Sequence, residues 1–90
     1  MTFSKMYKII PTKAFRKQTK KHKSNHELKQ ELNKKIQQLK EEPEKVGGKL
    51  SGKLHGMRST RLTAKFRLIF SIEGSSVYLI ALDHRRRVYD

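Results

Sequence analysis

The sequence predicts an α+β fold in the order β-α-α-β-β-β, with a helical hairpin packed on one face of a mainly antiparallel four-stranded sheet. Three stretches predict it. Residues 28–39 repeat apolar side chains at helical spacing, residues 65–72 alternate apolar and polar, and a second β-rich run follows at 77–82 after the turn Glu73-Gly74-Ser75-Ser76. At 90 residues the chain fits one domain, 1–90. A chain of this size buries only about 60% of its unfolded surface, so its stability is modest.

The run Met6-Tyr7-Lys8-Ile9-Ile10 is β-branched and aromatic and stops at Pro11, which marks a first strand. Thr12 is placed to cap the helix that follows, from Lys13 to about Lys21, whose thin inward face is Ala14 and Phe15, extended by Gln18 and Thr19. Ser24 precedes Glu27 by three residues, the spacing of a capping box. From Asn25 to Glu41 the residues Leu28, Leu32, Ile36 and Leu39 form one helical stripe. Pro43 ends that helix. The loop beyond it carries Gly47, Gly48, Gly52 and Gly56 together with Lys45, Lys49, Lys53 and His55. A flexible connector and a mobile basic lip over the active face are both compatible with that composition. The loop lacks the GxxxxGK[ST] pattern of a P-loop and leads into a strand.

Two further strands are expected, about Met57–Thr63 and Lys65–Ile72. In the latter, Phe66, Leu68, Phe70 and Ile72 share one face and Arg67, Ile69 and Ser71 the other. The apolar face must pack on the helices, which sends Arg67 to the opposite surface. With Leu62 inward, Ser59 and Arg61 join Arg67 there. Val77 to Leu82 is apolar on both faces and reads as a strand covered on both sides, followed by the tail 83–90.

Twenty-two Lys and Arg against eight Asp and Glu give a net charge of +14. That balance calls for a polyanionic partner, with nucleic acid or the ribosome favoured. A membrane surface fits less well, because no basic amphipathic helix carries a broad aromatic face. No stretch is long and apolar enough to span a bilayer, and the first eleven residues lack the apolar core of a signal peptide. The chain has no cysteine, which fits a reducing cytoplasm, and no metal-ligand spacing, so neither metal nor cofactor is expected.

Several pieces resemble the RelE/ParE superfamily of bacterial and archaeal toxins from type II toxin–antitoxin pairs: Lys49-Leu50-Ser51-Gly52 with Gly56, Ser59-Thr60-Arg61-Leu62, Phe66-Arg67-Leu68-Ile69-Phe70, and His84-Arg85 with Val88-Tyr89. The resemblance implies a cytoplasmic, ribosome-dependent endoribonuclease that cuts mRNA in the ribosomal A site, contacts 16S and 23S rRNA, and is silenced by a cognate antitoxin. It makes Arg67 the arginine on the scissile phosphate, Arg85 a second one, and Tyr89 the C-terminal tyrosine. Arg61 and Ser59 stand where the RelE branch carries lysines. An arginine stays charged and clamps phosphate without moving protons, so the proton transfer falls to His84, histidine being the side chain most used as a general acid or base. Some relatives use a glutamate before the second strand, and Glu44 is the nearest here.

RNA supplies its own nucleophile, the 2′-OH. The expected catalytic set is therefore Arg67, His84, Arg85 and Tyr89, with Arg61, Ser59, Lys49, Lys53 and His55 on the substrate. Tyr89 is suited to orienting the phosphate or stacking on a base. The plainer alternatives are that His84 is surface decoration and Tyr89 a tail anchor; His22 and His26 read as solvated. Competing functions are a ParE-type toxin that inhibits DNA gyrase without cutting RNA, and a basic RNA- or ribosome-binding module.

Overall fold

In a computed structural model, which describes residues 6–52 and 56–84, the chain runs β1 (Lys8–Pro11), α1 (Lys13–Lys21), α2 (His26–Glu41), a 3₁₀ turn (Pro43–Lys45), β2 (Gly48–Lys49), β3 (Arg58–Arg61), β4 (Phe66–Glu73) and β5 (Ser76–His84). The sheet is five-stranded, in the order β1-β5-β4-β3-β2. The fifth strand is β2, which lies within the glycine loop and pairs Gly48 with Ser59 and Lys49 with Arg58. Part of that loop is therefore sheet edge, neither a free connector nor a lip. Gly47 makes this possible: at φ +66° its backbone lies so close to Ser59 O that any Cβ would collide with it.

β1 runs parallel to β5, Lys8 opposite Ser76 through Pro11 opposite Leu79, and the other pairs are antiparallel. Pro11 lies inside β1 rather than beyond it, as an edge strand tolerates. The next residue, Thr12, caps α1 by accepting from Phe15 N (3.3 Å) and donates its hydroxyl to Leu79 O (2.8 Å) and Ile80 O (3.1 Å). α1 then continues along the edge of β5 that β1 has vacated. There the Gln18 amide accepts from Leu82 N (2.8 Å) and donates to Leu82 O (3.0 Å), standing in for a neighbouring strand. Phe15 is the buried residue of α1, while Ala14 is exposed. The cap of α2 is Asn25, which accepts from Leu28 N at 3.0 Å, so the helix starts one residue later than a Ser24 capping box requires. Asparagine serves as well as serine in that position.

Leu28 and Leu39 of the α2 stripe are buried, with Leu32 and Ile36 packed against the same core as Phe15, Val46, Leu62, Phe66, Leu68, Phe70, Val77, Leu79 and Leu82. Each such side chain contributes roughly 1.5–3 kcal/mol. None of the described helices is long and apolar enough to cross a membrane.

Candidate functional site: the arginine row and the aromatic corner

Cross-strand partners in a sheet share a face. Ser59 lies opposite Ile69, Arg61 opposite Arg67, and Arg67 in turn opposite Asp83. Because Phe66, Leu68 and Phe70 are buried under the helices, Ser59, Arg61, Arg67 and Asp83 occupy the other, open face, as the alternation predicts for the first three. Thr60 and Leu62, the inward positions of the same segment, are 5% and 6% exposed. Arg61 is exposed and Arg67 half-buried. Among the described residues neither guanidinium makes a hydrogen bond or an ion pair. Two like charges directly opposite repel, so the row is electrostatically unsatisfied on Arg61's side even with Asp83 beyond Arg67.

His84 is not on this face. Strict alternation from the buried Val77 and Leu79 would turn Leu82 and His84 outward, toward Arg67. The ladder instead slips between Ile69 and Phe70: Ile69 pairs with Ala81 but Phe70 pairs with Leu79, leaving Ile80 as an extra residue. That bulge reverses every side chain after it. Leu82 turns into the core, Asp83 comes beside Arg67, and His84 comes opposite Phe66. The expected convergence of His84 with Arg67 on one phosphate is thus corrected: they lie one ladder step apart on opposite faces.

The His84 ring instead stacks on Phe66, with centroids 4.4 Å apart and planes 7° from parallel. His22, at the C-terminal cap of α1, meets both rings edge-on, 5.0 Å from Phe66 and 5.5 Å from His84. It is half-buried in this corner rather than solvated; His26 is exposed on the first turn of α2. The 3.6-residue repeat that ends α1 near Lys21 gives no sign that His22 would be brought to Phe66, 44 positions later.

Lys49 is paired with Arg58 and so falls on the helix side, away from Arg61. Arg58, which sequence reasoning left without a role, holds the chain there: its guanidinium donates to the carbonyls of Glu44 (2.9 Å), Val46 (3.1 and 3.3 Å) and Gly47 (3.3 Å). The same region borders an open cleft of about 390 Å³ lined in part by Glu44, Lys49, Arg58 and Ile72. The Glu44 carboxylate accepts from the Tyr7 hydroxyl at 2.8 Å, which pushes the phenol above its ordinary pKa. Glu44 is therefore engaged away from the arginine row. Lys53, His55, Arg85 and Tyr89 lie outside the described residues. Among the described residues no group of three or more His, Asp or Glu is placed to hold a metal ion.

No curated protein matches the sequence significantly. Solved structures do. The chain is similar to a YoeB/ParE toxin from Agrobacterium tumefaciens (TM-score 0.77, 21% identity, covering 87% of this chain and 98% of that one). A YoeB–YefM complex from Staphylococcus aureus gives TM-score 0.72 at 17% identity over 88% of this chain and 97% of that one. A chromosomal ParDE system from P. aeruginosa gives TM-score 0.68 at 16% identity over 92% and 100%. At these identities the shared property is the fold: two helices on a mixed sheet. The model for the ParE toxin of the type II toxin–antitoxin system parDE matches residues 9–89, from β1 into the tail, and so the chain belongs to that family of type II toxins.

Proposed function

We propose that the chain is a ribosome-dependent mRNA endonuclease, and that it grips RNA phosphate with Arg61 and Arg67 on the open face of its sheet. The observation that supports this is the row itself: two guanidinium groups directly opposite one another, with no partner among the described residues. Their mutual repulsion is relieved by an anion between them, and two forked donors suit phosphate oxygens better than point charges do. The 2′-OH attacks the adjacent phosphorus, giving its proton to water, and the 5′-oxygen leaves, taking a proton from water, so that the products are a 2′,3′-cyclic phosphate and a 5′-hydroxyl end. Charge building on the phosphorane is what the arginines stabilise, each such donor typically contributing roughly 10²–10³ in rate. Arg85 and Tyr89 keep the roles the superfamily resemblance assigns them, a second phosphate contact and an orienting or stacking ring. His84, on the other face, is not assigned the proton transfer. Toxin–antitoxin complexes among the similar structures support a cognate antitoxin for this chain, one offering an acidic or amphipathic segment to so basic a surface.

One observation favours a second reading, a ParE-type toxin that inhibits DNA gyrase. With His84 turned away, the described part of the open face carries cations but no imidazole. Cell-free translation with mapping of mRNA 5′ ends separates the two. The nuclease reading expects cuts only in translated message, lost with Arg67→Ala. Intact message, with cleaved DNA accumulating in the presence of gyrase, overturns it in favour of the second.

A further inference from the structure

The aromatic corner is left without a task by the arginine row, and its construction points to one. We propose that His84 is a stacking platform for an unpaired nucleobase of the RNA, an inference that rests on the reading of the chain as RNA-directed. Three features carry it. Phe66 is 4% exposed and backs one side of the His84 ring at 4.4 Å, while His84 itself is exposed. His22 contacts both rings edge-on and so fixes the orientation of the pair. An aromatic plane already held by two neighbours loses little conformational freedom when a base lies on it.

The third feature is the charge around the corner. Lys20, Lys21 and Lys23 at the end of α1 and Lys65 just before Phe66 are all exposed, and the first acidic residue of the sequence is Glu27. Asp83, the nearest in sequence to His84, is on the opposite face. Lysines beside an exposed π face are the combination that holds a single strand, with phosphates on the cations and a base on the ring. The site is sequence-tolerant, because every base has a π face. It lies one ladder step from Arg67, at the same end of the sheet. A strand clamped on the open face thus has a second hold where it rounds that end.

The test uses a short single-stranded oligonucleotide with 2′-O-methyl riboses, which cannot be cut, and one 2-aminopurine whose fluorescence reports stacking. With the intact chain the fluorescence is quenched on binding. His84→Ala is expected to weaken binding about 5- to 150-fold and abolish the quench, with the salt dependence of binding unchanged because no phosphate contact is lost. His84→Phe and His84→Trp keep both affinity and quench; His84→Leu, which fills the space over Phe66 without a π plane, loses the quench. Thermal melting of each variant verifies the fold. Unchanged binding by His84→Ala, or His84→Phe as weak as His84→Ala, overturns the platform while leaving the arginine reading intact. Failure of the unsubstituted chain to bind the oligonucleotide overturns the platform, while the nuclease reading stands or falls on the mapped 5′ ends of translated message.

Discussion

Replacing Gln18 with alanine tests how the end of β5 is held. The substitution removes the two hydrogen bonds that the side chain makes with Leu82, 2.8 Å from its N–H and 3.0 Å to its C=O, where β1 no longer covers the strand. Leu82 is 4% exposed, so its main-chain groups exchange these bonds for poor solvation. Leaving a buried polar group unpaired costs about 1–3 kcal/mol. The two bonds are only part-buried, which sets the expectation at the lower end for each group, about 2 kcal/mol in all. For a domain of this size that lowers the melting temperature by roughly 8–16 °C. The sign is diagnostic, because alanine is the better helix former and on propensity alone would stabilise α1 by a few tenths of a kcal/mol. Thermal and urea unfolding give the change in stability, and hydrogen exchange at the Leu82 amide shows whether it is local. A loss below about 0.5 kcal/mol, with Leu82 protection unchanged, would refute the idea that this side chain replaces a strand.

Gly47→Ala should cost well over the roughly 1–2 kcal/mol of left-handed backbone alone, since its Cβ meets Ser59 O. Gly74→Ala, at φ +62° in open space, should cost no more than that backbone term; equal losses in denaturant melts would contradict the close approach. Arg58→Ala should lose about 2–3 kcal/mol, and Arg58→Lys should recover part of it, because one nitrogen, Nη2, makes the bonds to the carbonyls of Glu44, Val46 and Gly47 and only the Nε bond to Val46 has no lysine counterpart; a lysine variant as unstable as the alanine one in denaturant melts would contradict this. The Tyr7–Glu44 bond predicts a pH dependence. Because the folded phenol ionises later than the unfolded one, its contribution is complete below pH about 10 and is lost as pH rises through the folded pKa. Tyr7→Phe should remove that alkaline decline, and identical stability–pH curves for the two proteins would exclude it. Affinity for ribosomes should fall steeply with added salt as phosphate contacts release counterions, so a flat response would separate binding from the +14 charge.

Much of this molecule was legible from local pattern. The Leu28–Leu39 stripe, the alternation Phe66-Arg67-Leu68-Ile69-Phe70 and the turn at Gly74 each follow from neighbours a few positions apart, and α2, β4 and the β4–β5 hairpin lie where they predict. The shared face of Ser59, Arg61 and Arg67 was legible for the same reason, because Leu62 had to be inside. β2 was not, since two residues carry no period; only the close approach of Gly47 to Ser59 makes them a strand. Gln18 read only as part of the inward face of a helix and Arg58 as an ordinary polar residue, because what they bond lies 64 and 11 to 14 positions away.

The sequence by itself determined the amphipathic elements, the excess of cations and the face on which Arg67 stands, because side-chain direction within a regular strand or helix is a local property. Tertiary structure decided where His84 goes. A single extra residue at Ile80, with its carbonyl bonded by Thr12 from the far end of the chain, reverses the faces of all that follows in β5. A bulge depends on which strand lies alongside and in what register, and alternation read along one strand contains no information about its neighbour.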